Sequence, residues 1–431
     1  MGTRALLLFC LSLIGCLAFD ISILYALILG FFIFCGYGLS KGFSLKEMLK
    51  VSFDGIKTAK NVLKTFIFIG MLTALWRAAG TVPVIICYSA PFIQPSIFLL
   101  MAFLLNCVVS VLTGTAFGTV ATVGVICMTM SSAMGIDPTL AGGAIISGIF
   151  FGDRCSPVST SALLVSELTE TDIYENIKAM ISTATIPFLA TCGVYIALGL
   201  LSESGAGSVD IVGLFEQSFN LHWAALLPAG AVLVMSALKA NVRITMFVSI
   251  IFAFFICLFI QNMELAEVLR LMVFGYKAQN PEMAAMLNGG GILSMAKVAS
   301  IVCLSSSYAG IFKATGLLDG LKAVIGRICE KTTFFGAMTL TSIITSMIAC
   351  NQTLAIMLTH QLCIGTEVDK RKFAIDLENS VVLIAPLIPW SIAGALPLST
   401  IAAPMTSLLA ACFLYFVPLW ILAVEKFKAK G

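Results

Sequence analysis

The sequence predicts an all-α polytopic membrane protein whose two halves repeat each other in opposite orientation, with re-entrant hairpins and discontinuous transmembrane helices. Three observations predict it. The 431-residue chain is 59% hydrophobic and 11% charged, with a mean hydropathy of +1.04. A soluble domain carries about 25% charged residues, enough to coat a surface in water. Its apolar runs reach the roughly 20 residues that span a bilayer. Two of them are interrupted in matching places, at Gly152-Asp153-Arg154-Cys155-Ser156-Pro157-Val158-Ser159-Thr160 and from Glu378-Asn379-Ser380 through Ala385-Pro386-Leu387-Ile388-Pro389-Trp390. Backbone that leaves a helix at membrane depth is tolerated only when buried in protein or lining a wet cavity. Matched interruptions in two halves mark the solute site of an inverted-repeat transporter.

Apolar runs of spanning length cover residues 4–19, 21–39, 62–79, 177–199, 222–238, 243–260, 291–312 and 403–425. Arg4 followed by an apolar run that ends at Leu13-Ile14-Gly15-Cys16 has the outline of a cleaved leader. A second apolar segment directly after Asp20, ending in lysines, fits a hairpin of two membrane helices instead. Stretches 96–168 and 334–400 are apolar but repeatedly broken by Gly, Pro and polar residues. Each reads as a hairpin followed by a broken helix. The hairpin tips fall at Thr113-Gly114-Thr115 and Cys350-Asn351-Gln352-Thr353. Segments 40–60 and 261–290 space apolar residues among charges and read as amphipathic helices lying along the interface. Asp20, Asp54 and Asp137 read as turn or interface residues.

Basic residues set the orientation. Lys41, Lys46, Lys50, Lys57, Lys60 and Lys64 share one connection; Lys239 and Arg243 flank another. Lys313, Lys322, Arg327 and Lys331 occupy a third, Lys370, Arg371 and Lys372 a fourth, and Lys426, Lys428 and Lys430 the C-terminus. All are expected in the cytoplasm, as are both termini. Segment 200–221 holds Glu203, Asp210 and Glu216 without Lys or Arg and is expected outside. The division that follows is an N-terminal transmembrane helix at 1–20, inverted repeat A at 21–200, an external loop and linker helix at 201–242, and inverted repeat B at 243–431.

Several function classes are excluded. Most of the fourteen cysteines sit in apolar runs, and no CxxC, CxxH or HExxH spacing occurs, against a zinc or redox site. His222 and His360 are too far apart in sequence for a local metal motif. Neither a Walker A sequence nor a nucleophile elbow is present, which disfavours ATP-driven pumping and hydrolysis; the chain reads as a non-enzyme without a cofactor. No polybasic tail suggests a nucleic-acid partner. The expected partners are the lipid bilayer and a small ion or small-molecule solute.

The chemistry is expected at the interruptions. An intramembrane carboxylate is a functional candidate by default, which selects Asp153 and Glu378. Arg154 is placed to neutralise Asp153 or another carboxylate; Lys372 or Arg371 is an alternative partner for Glu378. Ser156, Ser159, Thr160 and Ser161 add hard oxygens, and Pro157 frees a carbonyl one turn earlier. By analogy with other hard cations, sodium suits such oxygens, with Asp153, Asn351 and Glu378 as its ligands. Thr113 and Thr115 satisfy backbone at the first tip, and Asn351 and Gln352 donate and accept at the second. Asn379 and Ser380 complete the set, and Trp390 is expected to wall the cavity.

At these residues the chain resembles the NhaC-type sodium/proton antiporters, within the larger ion-transporter group. The resemblance rests on the Gly152–Ser159 stretch, on Ala349-Cys350-Asn351-Gln352-Thr353-Leu354-Ala355-Ile356, on Leu377-Glu378-Asn379-Ser380 and on the Ala385–Trp390 run, and it covers nearly the whole chain. It implies sodium and proton as coupling ions, a cell-membrane location, and a homodimer in which a transport domain slides against a scaffold. In some members it implies sodium- or proton-coupled exchange of a small organic acid or amino acid. The chain departs from the pattern at one place. Many members have Ser-Asp-Thr after the proline where this chain has Ser159-Thr160-Ser161, a lost carboxylate that favours a neutral or anionic organic substrate with sodium as coupling ion.

Overall fold

A computed structural model describes residues 2–19, 21–89, 94–157, 159–201, 211–238, 240, 242–278, 283–284, 287–317, 332–363 and 369–428. Asp20, Lys239, Glu203, Asp210, Lys322, Arg327, Lys331 and Lys430, named above, lie outside the described residues. The protein is an all-α polytopic membrane protein. Six described helices are long and apolar enough to cross a bilayer, or seven when one bent pair is counted as a span.

Most expected runs form helices close to their expected bounds, as in Ile23–Ser40, Lys60–Ala78, Ile173–Leu201 and Val242–Phe259. The run at 403–425 differs. Its helix is Cys412–Lys428, preceded by a short 3-10 turn at Met405–Leu408. Pro404 and the left-handed backbone of Ala402 (φ 55°) keep the first residues out of the helix. Two short helices, Thr81–Ser89 and Ile211–Ser218, were not expected.

The amphipathic segment forms helix Leu45–Thr58, opened by a capping box in which Ser44 and Glu47 bond each other's backbone N–H. Asp54, as expected, is a surface residue, paired with Lys57 at 2.7 Å. The helix does more than lie on an interface, because it packs against Ala296–Thr315. A methyl on Gly55 would meet the Ser306 carbonyl, and one on Gly310 the Val51 carbonyl. Small residues let the two backbones approach where lipid supplies no hydrophobic force between helices.

Both hairpins form. The first joins Pro95–Thr113 to Ala116–Ala133 through Gly114, whose left-handed backbone (φ 65°) returns its N–H to Ser110 O at 2.8 Å. The second joins Phe334–Ala349 to Gln352–Cys363 through Cys350 (φ 53°), whose N–H returns to Ser346 O. Left-handed backbone ends a helix sharply and satisfies one of its orphan carbonyls.

The broken helices share a design. In the first, Asp137 caps Pro138–Cys155 and Ser159 caps Thr160–Thr169. In the second, Asp369 caps Lys370–Asn379, the chain runs on to Leu387, and Ser391 caps Ile392–Thr400 after a 54° bend. The paired caps are 232 positions apart both times, from 137 to 369 and from 159 to 391. In each break the capping serine returns its N–H to the carbonyl three residues back, Ser159 to Ser156 and Ser391 to Ile388.

Each break is bolted to its own hairpin. Ser156 donates to Val111 O at 2.7 Å, and Ser110 donates to Ile149 O at 2.6 Å. Trp390 donates to Met347 O at 2.9 Å, and Ile392 N–H donates to Cys350 O. Trp390 is therefore a buried brace, not the cavity wall expected of it. The first hairpin arm and first broken helix touch through Gly148 and Gly152; a methyl on Gly152 would press into Ser110, and one on Gly148 would lie 2.5 Å from the Phe103 carbonyl. Gly152→Val is expected to destabilise the purified protein by about 1–3 kcal/mol through overpacking. Gly193→Val, where nothing lies within 4 Å, is expected to leave the unfolding temperature unchanged. Equal unfolding temperatures for the two variants would refute the close contact.

Among the described residues, three large apolar cores and a small fourth one of Cys155, Met180 and Ile375 divide the interior. The largest joins the first hairpin and first broken helix to Lys60–Ala78 and Val242–Phe259. A second holds the N-terminal helix pair, Ala296–Thr315 and the tip of the second hairpin. A third packs the second hairpin against Phe373–Val382 and Val165.

Candidate functional site

Asp153 lies in the last turn before the first break and is 5% exposed. Its carboxylate accepts from Ser159 Oγ at 3.1 Å and from Ser161 Oγ at 2.9 Å. Gln352 Nε2, at the tip of the second hairpin, reaches the same carboxylate at 3.4 Å and bonds Val382 O of the second broken helix at 3.0 Å. The backbone N–H of Ala116, just past the first hairpin tip, is also directed at Asp153. One carboxylate thus gathers both hairpin tips and its own break, and Gln352 links it to the second broken helix. Every one of these donors is neutral.

Arg154 points elsewhere. It is fully buried and donates to Met180 O at 3.1 Å, Thr183 Oγ1 at 3.1 Å and Asn379 Oδ1 at 2.5 Å. It forms no ion pair with Asp153, its neighbour in sequence. Glu378 is 1% exposed, and its Oε2 has no hydrogen-bond partner. It feels the attraction of Arg154 and the repulsion of Asp153. The basic turn does not hold it: Arg371 pairs with Glu175 at 3.5 Å, and Lys372 lies 3.8 Å from Glu425 and 4.0 Å from Asp376.

At the two breaks, two buried carboxylates, Asp153 and Glu378, stand against one buried guanidinium, Arg154; of the other buried charged residues, Arg77 lies on Lys60–Ala78 and Asp376 is 4.0 Å from Lys372. With both acids ionised, one unit of negative charge is left over. Burying such a charge costs several kcal/mol unless a cation or a proton answers it. The oxygens of Asp153, Ser159 and Ser161 form a hard donor set suited to a sodium ion.

The other expected residues are distributed unevenly. Thr160 is exposed and Ser161, one position on, takes its place at Asp153. The absence of a carboxylate at 160 thus removes no ligand from this set, a correction to the expectation drawn from that departure. Ser156 is committed to Val111 O. Thr113 bonds Thr119 at 2.9 Å and lines a small cleft with Thr245, away from Asp153, while Thr115 caps the following turn. Asn351 caps its own helix by accepting from Thr353 N–H at 2.9 Å. Asn379 holds Arg154, and Ser380 donates to Asp376 O at 2.6 Å. Thr183, Met180 O and Val382 O were not expected. A lone threonine in an apolar helix gives no periodic signal, and a carbonyl gives none at all.

Replacing Gln352 with Leu keeps the volume but removes the donor to Asp153. Hydrogen bonds to charged groups contribute about 1.5–3 kcal/mol. The half-saturating sodium concentration for transport is expected to shift about tenfold or more, and an unchanged value would exclude Gln352 from the site.

Comparison with known proteins agrees with this layout. The family model described as the Na+/H+ antiporter family matches residues 5–164 and 148–424. The chain is 27% identical over 425 residues to the malate-2H(+)/Na(+)-lactate antiporter of Bacillus subtilis, covering 95% of this chain and 90% of that one. It is 26% identical over 375 residues to the Na(+)/H(+) antiporter NhaC of Alkalihalophilus pseudofirmus, covering 84% and 81%. To the arginine/ornithine antiporter ArcD of Halobacterium salinarum it is 25% identical over 380 residues, covering 83% and 77%. Family matches that run together from residue 5 to residue 424, across both breaks and both hairpins, show that the chain belongs to the Na+/H+ antiporter family.

Proposed function

We propose that the protein is a secondary active sodium/proton antiporter of the NhaC type, working by alternating access. Asp153 and Glu378 take up and release cation and proton, with Ser159, Ser161 and Gln352 as neutral partners. The observation that carries this reading is that, at the two breaks, the buried acids Asp153 and Glu378 share one buried guanidinium, Arg154. A single sodium ion or a single proton restores neutrality, and the second ion would then arrive without a charge to answer. Competition for one unit of charge is what couples the two flows in opposite directions.

The lysine-rich connections support a cytoplasmic location for both termini in a cell-membrane protein. The equal 232-residue spacing of the paired caps supports two inverted repeats moving about the central site. A homodimer, implied by the family resemblance, is tested by the mass of the purified particle. The function itself is tested with purified protein in sealed liposomes. An imposed sodium gradient is expected to drive proton movement the opposite way, and counterflow is expected to accelerate it. Proton movement at the rate of empty liposomes would overturn the reading.

A further inference from the structure

A cavity of about 700 Å³ opens beside the Asp369–Lys372 turn and descends to Thr183 and Asn379. Lys370–Asn379 forms one wall, and exposure falls along it: Asp369 and Lys372 are exposed, Asp376 and Asn379 buried. The charged lining is Asp369, Asp376 and Glu425 against Arg371 and Lys372. Polar walls of this kind hold water, and their net negative charge draws in cations and protons. Among the described residues, the lining ends at Ala179, Thr183, Ile375 and Asn379 and includes neither Arg154 nor Glu378. Thr183 and Asn379 cover Arg154 from the cavity side, each accepting a hydrogen bond from it. Beside them the floor is apolar. Ile375 lines the cavity and packs on Cys155 and Met180, the small fourth core. That core lies against the buried charges. Arg154 donates to Met180 O at 3.1 Å and to Cys155 Sγ at 3.4 Å. Glu378 follows Ile375 by three positions on the same helix, so the two are neighbours about 5–6 Å apart at Cβ. The charge of Glu378 also acts on the Cys155 thiol, and its Oε2 has no hydrogen-bond partner.

We propose that this cavity is the aqueous entrance to Glu378, and that Ile375, seated on Cys155 and Met180, is the plug that closes it. An apolar constriction gates by excluding water, with no charge of its own to move. Here the constriction is one side chain thick. A small shift of Lys370–Asn379 against Ile173–Leu201, the helix that carries Met180, unseats it. Water then reaches Glu378 Oε2. A hydronium ion in the cavity gives its proton to the carboxylate and remains as water, and the reverse step returns the proton. With the plug seated, Glu378 is dry and keeps whichever protonation state it had. Closure is needed because a carboxylate open to the cavity in every state would pass protons without sodium. Ile375 is therefore a gating residue that touches neither ion. The proposal deepens sodium/proton exchange and rests on that reading for the role of Glu378 as proton carrier.

Two measurements test it. The first is hydroxyl-radical footprinting of the purified protein, read by mass spectrometry as oxidation of Met180 and Cys155. Radicals made from water report where water reaches, and both side chains lie behind Ile375. Ile375→Thr shortens the plug and gives it a hydroxyl, and is expected to raise both oxidation rates at least about fivefold. Ile375→Leu keeps the apolar volume and is expected to leave them at the parent rate. The second is proton entry into sealed liposomes under a pH gradient without sodium, with potassium and valinomycin balancing charge. Ile375→Thr is expected to leak at least about tenfold faster than the parent, because Glu378 then meets the cavity in both facing states. Adding Glu378→Gln to Ile375→Thr is expected to return the leak to the parent rate. Variants are scored when they elute as monodisperse protein, and Met180→Thr opens the facing side of the plug should Ile375→Thr fail to do so. Unchanged oxidation in the threonine variants, a leak that persists without Glu378, or an equal leak in Ile375→Leu would each overturn the proposal. Sodium-driven proton flux in the parent tests the exchange reading separately, while footprinting judges the plug without reference to transport, so either can fail alone.

Discussion

Asp153→Asn is expected to reduce sodium-dependent proton movement at least about 100-fold, to the rate of empty liposomes, while the protein still folds. The side chain keeps its shape, and its surroundings can adapt. The hydroxyls of Ser159 and Ser161 rotate to accept as readily as to donate. Gln352 can turn its amide, giving up the bond to Val382 O. What cannot be replaced is charge. With Asp153 neutral, the breaks hold Glu378 against Arg154, and the count there is zero before any ion arrives. A cation entering that interior pays desolvation without an answering charge. A 100-fold loss corresponds to about 2.7 kcal/mol at 1.36 kcal/mol per tenfold, less than the several kcal/mol at stake. Flux is followed by a trapped pH indicator under imposed sodium gradients, and folding by monodisperse elution and unfolding temperature. Full activity in this variant would remove Asp153 from the coupling step.

The elements that were legible in the sequence are those set by local rules. Asp137 and Ser159 are capping residues by type and position, and each caps the helix that follows it. Gly114 turns the first hairpin because glycine enters left-handed backbone without strain. Pro386 and Pro389 broke the second helix as expected, and the 54° bend falls at the break between Leu387 and Ile392, which contains Pro389. Short pieces escaped because a window sized for a spanning helix passes over the nine residues of Thr81–Ser89. The site was half legible. A carboxylate in an apolar run identifies itself by its cost, so Asp153 and Glu378 stood out. Gln352 and Asn379 were named as candidates too, but the pairings were not legible, because Gln352 lies 199 positions from Asp153 and Asn379 lies 225 from Arg154. The choice between Thr160 and Ser161 was decidable from local geometry. Once Ser159 is the cap, its hydroxyl accepts from the N–H of Ser161, which brings that residue back toward the break. The sequence adjacency of Asp153 and Arg154 misled for a related reason. Successive residues on a helix point about 100° apart, so the two charges serve different partners.

The same charge count makes an unusual demand of Arg154 and Glu378. Arg154→Gln leaves Asp153 and Glu378 at the breaks without a buried cation beside them, and is expected to destabilise the protein by about 3–5 kcal/mol, as when one partner of a buried charge pair is removed. Glu378→Gln leaves Asp153 balanced by Arg154, the same zero count as in Asp153→Asn, and is expected to fold stably but to lose sodium-dependent proton movement. The double variant removes one charge of each sign. It leaves Asp153 alone, the same single negative charge as the parent, and is expected to recover much of the stability lost in Arg154→Gln and to bind sodium again at Asp153. A coupling of about 1–3 kcal/mol between the two sites is expected from a double-mutant cycle on unfolding, with sodium-dependent stabilisation as the second readout. If the two substitutions instead add to within about 0.5 kcal/mol, Arg154 serves only its neutral partners Met180, Thr183 and Asn379. Exchange could not then rest on one shared unit of charge, because Glu378 would titrate without reference to the cation beside it.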